Sequence, residues 1–428
     1  MIRSTHAGRG LAVAGALALA LAACSSSNEP GGGETSGGGG AKGEPLHIGT
    51  LLPVTGSLAQ LGPPEIAGVD LAVKEINDAG GLFGADVKVT HTDSSDAQNA
   101  SVSTASAQSL ISAGVSAVIG AASSSVTLNV IDDITGAGIV QVSPANTATD
   151  LSGYSEFYFR TAPPDTVQGD VLGNLIVSDG ASNVGILVFN DSYGTSLRDV
   201  VAGVVEGAGG TIVYGAKGQE FDPAETNFAT IVGDALSKKP DAIAVLAFTD
   251  QTPAIVRELA AQKWDMSKTY FVDGNLQNFG TEGDTGFPEG TLTDAQGTLP
   301  GAYPSEEFQK RMLEVDPELK DYSYGPESYD ATMLVALAAL KGGASDGATI
   351  QKNMAAVSGA NGGTECTGWV ECSKLVGEGK DIDYTSASGV GPFNEKNDPS
   401  SAFIGIYKFG ADNTYTFSRS EEGEVPAG

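Results

Sequence analysis

From Glu44 onward, short β-rich runs alternate with longer helical patterns, and this alternation restricts the chain to very few architectures. "LHIGTLLP" reads as a strand. "EIAGVDLAVKEINDAGG" reads as an amphipathic helix, with apolar residues three and four apart and a stop at Gly80-Gly81. "DVKVTHTD", "VSAVIG" and "IVQVSP" are further strands, separated by the helical stretches "NASVSTASAQSLISAG" and "SVTLNVIDDITGAG". Past the break at Pro163-Pro164 the pattern starts again, from "NVGILVFND" to "TYFVDG". Strands regularly separated by helices form parallel sheets with helices on both faces, an α/β fold. Two such runs predict two doubly wound lobes. Helices dominate after about residue 294, and a hairpin-like pair, "FIGIYKFG" and "TYTF", ends the pattern. Counting helices per sheet assigns residues 44–164 and 294–400 to lobe I, and residues 165–293 and 401–428 to lobe II. The chain then crosses between the lobes three times.

Open parallel sheets bind ligands beyond the carboxyl ends of their strands, at helix N-termini. In "VIGAASSSVTLNV", Val118 to Val130, a strand runs into three serines and then a helix start. Serine there caps free backbone N–H groups, and those groups together with the helix dipole attract anions. Other strand ends carry Asn146 and Thr147, Tyr193, Phe248 and Thr249, and Asp273. The first lobe therefore offers hydroxyls and N–H groups, and the second offers aromatic rings and a carboxylate. A ligand with an anionic end, a cationic end and an apolar body fits between them, and an α-amino acid is such a ligand. Ser123 or Ser124 and Thr147 would hold its carboxylate, and Asp273 would pair with its ammonium. Taken singly, each element also has a plainer reading: the serines as helix caps, Thr147 and the Asp273-Gly274 pair as turn residues, Tyr193 as a packing ring.

Other function classes find little support. There is no G-x-S-x-G elbow, no G-x-x-x-x-G-K-[ST] loop, and no G-x-G-x-x-G after a strand. Beyond the N-terminal leader only His47 and His91 remain, so acid–base pairs and metal sites have few candidates, and neither cofactor nor metal is expected. A formal net charge of −30 repels phosphate and argues against nucleic acid.

The N-terminus carries Arg3 and Arg9, then the apolar run "LAVAGALALALAAC", which ends on small residues before Cys24. This reads as a secretory signal over residues 1–23, and its ending resembles the lipobox of bacterial lipoproteins, with Cys24 as the lipidated residue. The Gly/Ser-rich residues 24–43 form a tether, roughly 25 Å end to end as a random coil. That predicts an extracytoplasmic protein held at the cell membrane by lipid. Cys366 and Cys372, in "ECTGWVEC", are an even remainder in an exported chain and read as one disulfide.

"HIGTLLPVTGSLAQLG", "GVDLAVKEINDAGGLFG", "VIGAASSS", "VSPANTATDL", "YFRTAPPD", "VFNDSYG" and "GVGPFNEKND" occur in an order that resembles branched-chain amino acid-binding proteins of ABC transporters. The resemblance is to the leucine/isoleucine/valine-binding type of class I periplasmic binding protein, and it runs from about Leu46 to Phe417. It implies two α/β lobes, a three-segment hinge and a ligand enclosed between the lobes. The carboxylate would be held by Ser123, Ser124 and the stretch Ala145, Asn146, Thr147, and the ammonium by Asp273. Tyr193 would cover the ligand, with Phe248 nearby. The partners implied are membrane permease subunits driven by separate ATPase subunits. Two departures stand out. Leu61 occupies a position where relatives often carry an aromatic, and "ECTGWVEC" with the following "SKLVGEGKDIDY" is longer than the basic pattern. Amides, urea and aromatic acids are also ligands in this family.

Overall fold

A computed structural model describes residues 44–425. The expected signal segment, Cys24 and the tether lie outside the described residues. Five strands come first: β1 (His47–Leu52), β2 (Lys88–Asp93), β3 (Ala117–Gly120), β4 (Val140–Ser143) and β5 (Tyr158–Arg160). They form one parallel sheet in the order β2-β1-β3-β4-β5. The central strands β3 and β4 are buried at every residue, as sheets covered on both faces require. Helices α1 (Gly62–Asp78), α2 (Ala100–Ser112) and α3 (Ser124–Gly136) connect them.

The chain then passes through Thr161–Pro164 into α4 (Asp165–Ser178) and the second lobe. There β6 (Asn183–Val188), β7 (Thr211–Tyr214), β8 (Ala242–Leu246), β9 (Thr269–Phe271) and β10 (Gln296–Pro300) lie parallel, connected in part by α5 (Ser192–Gly207), α6 (Ala229–Ser237) and α7 (Thr252–Ala261). A second crossing returns the chain to the first lobe for α8 (Glu306–Val315), α9 (Gly325–Gly342), α10 (Gly347–Val357), β11 (Thr364–Cys366), α11 (Gly368–Gly377) and β12 (Ile382–Tyr384). A third crossing leads to β13 (Ser401–Phe409) and β14 (Tyr415–Glu424), which add antiparallel to the second sheet. Its order is β14-β13-β10-β9-β8-β6-β7. Because β10 pairs with β9 and β13, the second crossing follows Pro300, a few residues later than the boundary expected at 294.

α9 is apolar on almost every side and buried over most of its length, as a helix enclosed by neighbours must be. It approaches α1 so closely that a Cβ on Gly68 would fall 2.2 Å from the Gly325 carbonyl oxygen. The long "ECTGWVEC" region packs here too. Cys366 and Cys372 are bonded, and both are buried with Trp369 in the first lobe's core. It decorates lobe I and contributes no wall to the cleft described below.

Each lobe has its own apolar core, but five residues from first-lobe loops, Leu58, Leu61, Ala122, Ala145 and Tyr324, join the second lobe's cluster. The lobes are closed on one another. Ser125 and Ser192 hydroxyls meet at 2.8 Å, the Thr149 N–H donates to Ser196 Oγ at 3.0 Å, and the Thr249 hydroxyl donates to the Ser57 carbonyl at 2.8 Å.

At the end of β5, Arg160 is fully buried. Its Nε donates to Asp398 Oδ1 at 2.7 Å, and its other nitrogens bond the Ala148 carbonyl and Ser152 Oγ. This ties the strand to the segment leading into the third crossing. Removing one partner of a buried pair leaves the other charge uncompensated. Arg160→Ala should therefore cost about 3–5 kcal/mol, read as a lower urea midpoint. An unchanged midpoint would show that this pair does not hold the two segments together.

Candidate functional site

A narrow cavity of about 20 Å³ lies between the lobes, where β3 and β4 of one sheet and β8 and β9 of the other end. Ser123, Ser124, Ala145, Asn146, Thr147, Tyr193, Phe248 and Asp273 all line it, so the residues expected at strand ends come together in one place. Leu58, Leu61, Ala122, Gly274 and Tyr324 complete the wall.

The first-lobe side presents hydrogen-bond donors. Ser123 caps α3 in extended geometry, its Oγ accepting from the Val126 N–H at 3.4 Å. Ser124 Oγ accepts from the Thr147 and Ala148 N–H groups at 3.4 and 3.2 Å, which fastens the loop after β4 to the start of α3. A hydroxyl that accepts twice still has its own proton to donate. Thr147 Oγ1 is buried, lies near the Asp165 carboxyl and makes no hydrogen bond of good geometry among the described residues. Asn146 lines the cavity too, but its side chain is committed inward. Its Nδ2 donates to the Ala121 carbonyl and Thr127 Oγ1, and its Oδ1 accepts from the Tyr158 hydroxyl at 2.6 Å. It braces the loop instead of offering a free polar group.

The second-lobe side presents a carboxylate and two rings. Asp273 Oδ1 accepts from Gln168 Nε2 at 2.8 Å and from the Tyr193 hydroxyl at 2.6 Å, and Oδ2 accepts from the Tyr324 hydroxyl at 2.7 Å. A carboxylate has about four lone-pair sites, so one on Oδ2 stays free. Tyr193 and Phe248 stack with centroids 5.6 Å apart and planes 7° apart, and Phe189 braces Phe248 edge-on. Asp191 caps α5 by accepting from the Tyr193 N–H, which fixes where that ring sits.

Tyr324 and Gln168 were not legible as site residues. Tyr324 belongs to the first lobe and precedes α9 in left-handed geometry, φ 58°, so its hydroxyl crosses to a second-lobe carboxylate. No sequence pattern marks that crossing. Gln168 sits inside α4, away from any strand end.

Burial pushes the Asp273 carboxyl above its ordinary range, while the hydroxyls of Tyr193 and Tyr324 and the Gln168 amide pull it back. Asp165, the first residue of α4, is fully buried; among the described residues neither carboxylate oxygen makes a hydrogen bond of good geometry, and the Ser196 and Thr147 hydroxyls lie near it without forming one. Burial drives it up to about 7. The Ser196 and Thr147 hydroxyls oppose that rise, and the charge on Asp273 adds to it.

The chain is similar to known proteins over most of its length. A family model described as periplasmic binding protein matches residues 45–371. The chemotactic signal transduction system substrate-binding protein BasB of Halobacterium salinarum is 25% identical over 364 residues, 81% of this chain and 83% of that relative. The leucine-, isoleucine-, valine-, threonine- and alanine-binding protein of Pseudomonas aeruginosa is 33% identical over 168 residues, which span 38% of this chain and 44% of the relative. Among solved structures, the branched-chain amino acid transporter substrate-binding protein LivJ of Streptococcus pneumoniae, in complex with isoleucine, superposes with TM-score 0.70 at 22% identity. The match covers 89% of this chain and 99% of that one. A solute-binding protein of R. palustris in complex with 4-hydroxybenzoate superposes with TM-score 0.71 at 16% identity, over 89% and 98% of the two chains.

Asp165 has a measurable consequence for stability. Its unfolded-state pKa is near 3.9 and its folded value is higher, so between the two the folded state holds the extra proton. Stability therefore falls as pH rises from about 4 to about 7, by an amount on the order of 3–4 kcal/mol. Asp165→Asn cannot ionise. Thermal unfolding of the ligand-free protein between pH 5 and pH 8 should show a shallower decline for the variant than for the wild type. Parallel profiles would mean that another group titrates.

Proposed function

This chain belongs to the periplasmic binding protein family, and on that premise we propose that it captures a small α-amino acid, branched-chain or otherwise apolar, as the solute-binding subunit of an ABC importer. The reading rests on the two poles of the cavity. At one, the Thr147 hydroxyl, the Ser123 and Ser124 hydroxyls and the first N–H groups of α3 converge on a position for a carboxylate. At the other, Asp273 keeps one acceptor site for an ammonium. Between them Leu58, Leu61, Tyr193 and Phe248 supply apolar contact. Leu61 leaves more room than an aromatic ring would, which favours a branched aliphatic side chain. An aromatic acid is a weaker candidate: it brings a carboxylate but no cation, and Asp273 would stay uncompensated. No catalytic step enters this reading.

Isothermal titration of the mature protein with the twenty amino acids, urea and 4-hydroxybenzoate tests it. An aliphatic amino acid should bind, and Asp273→Ala should weaken that binding tenfold or more. The ammonium needs an ionised Asp273, whose pKa is raised by burial. Affinity should therefore fall as pH drops into a range above that of an ordinary carboxylate. Heat silence toward every amino acid removes the proposal, and wild-type affinity in Asp273→Ala removes the ammonium assignment.

Relatives of this family act outside the cytoplasm. Residues 1–23 as a signal, Cys24 as a lipid anchor and residues 24–43 as a tether would keep the body above the membrane, within reach of permease subunits. Cys24→Ser should move the protein from the membrane fraction to the medium or periplasm. Retention in the membrane fraction would count against the anchor. A second reading keeps the same site but reports to a signalling partner, and the BasB similarity over 81% of the chain favours it. Co-purification with a receptor in place of a permease would select it.

A further inference from the structure

A second, larger cavity of about 230 Å³ lies beside the second crossing and shares only Tyr324 with the ligand cleft. One wall is aromatic. Tyr303 and Phe417 stack with centroids 4.9 Å apart, Phe417 meets Tyr407 edge-on at 5.7 Å, and Tyr407 meets Tyr415 edge-on at 5.2 Å. Tyr303 and Phe417 are 50% and 38% exposed, which is unusual for large rings with apolar neighbours to hand.

The other wall is acidic. Asp321 is engaged, its Oδ2 accepting from the Tyr415 hydroxyl at 2.6 Å and its Oδ1 from the Ser323 N–H. Glu327 is 2% exposed and lines the cavity, and its carboxylate makes no side-chain hydrogen bond or ion pair among the described residues. Burial, and the nearby charge of Asp330, push its pKa well above the usual range. A cation beside a buried carboxylate is the partner that offsets this cost. Lys320, the single basic residue of the lining, is solvent-exposed.

Aromatic faces joined to carboxylates are the chemistry that holds quaternary ammonium groups. We propose that this cavity is a second binding site, for a small quaternary ammonium cation packed against Tyr303, Tyr407 and Phe417 with Glu327 and Asp321 as counter-charges. The site adjoins the hinge directly. Gly301, at φ +96° in the second crossing, lies so close that a Cβ there would fall 2.0 Å from Glu327 Oε1. Tyr324, the one shared wall residue, carries the hydroxyl that reaches Asp273. The inference stands apart from the amino acid reading of the cleft.

Titration of the mature protein with choline chloride, against a sodium chloride blank, tests it. The titration is run with and without saturating isoleucine, beside the Tyr303→Ala/Phe417→Ala double variant, which alters only half-exposed rings. Choline should bind saturably and remain bound with isoleucine present. The double variant should lose at least fivefold in choline affinity while its isoleucine affinity stays within twofold of wild type. Heat no greater than the blank, displacement by isoleucine, or a loss smaller than fivefold in the double variant overturns the proposal. If isoleucine does not bind at all, the reading of the cleft is what fails, and the choline result still decides this one.

Discussion

Asp273 holds its carboxylate out of water with three neutral donors drawn from both lobes: Gln168 and Tyr193 from the second, Tyr324 from the first. Neutral hydrogen bonds position a buried charge but only partly offset the cost of removing it from solvent. With no cation beside it among the described residues, the carboxylate rests above its ordinary pKa. Whatever brings a positive group into the cleft relieves that cost, and the relief is available only when the lobes are close enough for Tyr324 to reach across. Closure and ligand charge are thus coupled at one atom group.

The remaining cross-lobe contacts are modest. Ser125 with Ser192, Thr149 with Ser196 and Thr249 with the Ser57 carbonyl are neutral hydroxyl bonds, each worth about 1 kcal/mol net. Leu58, Leu61 and Ala145 bury apolar surface against the second lobe, a gain of about 25 cal/mol per Å² removed from water. A closed state held by such terms is poised, and a ligand that supplies two charge-assisted bonds, each about 1.5–3 kcal/mol, outweighs any one of them.

Strand ends were legible because parallel sheets put their functional loops there, and the helix starts at Ser123 and Asp191 carry cap residues with a plain local signature. What a residue does once it arrives was less legible. Asn146 lies where a ligand contact was expected, yet its amide is spent on Ala121, Thr127 and Tyr158, because a loop packed between two lobes must satisfy its own buried polar groups first. Tyr324 escaped notice because its role depends on a left-handed backbone turn and on lobe closure, neither of which leaves a periodicity. The second crossing is hard to read from the sequence because "QGTLP" is too short and too polar to announce a strand. Its pairing with β9 and β13 is a long-range fact.

Tyr324 also sets the logic of specificity. Its ring lines the cleft together with Leu58 and Leu61. A longer ligand side chain would have to displace either these leucines, which are packed into the second lobe's core cluster, or the tyrosine, whose hydroxyl Asp273 requires. Moving the tyrosine removes one of three donors from a buried carboxylate, which costs more than a methylene gains by burial, about 0.8 kcal/mol. Under the amino acid proposal, side-chain length would be limited by the same hydrogen bond that holds the ammonium's counter-charge, and size discrimination and charge recognition would not be separable.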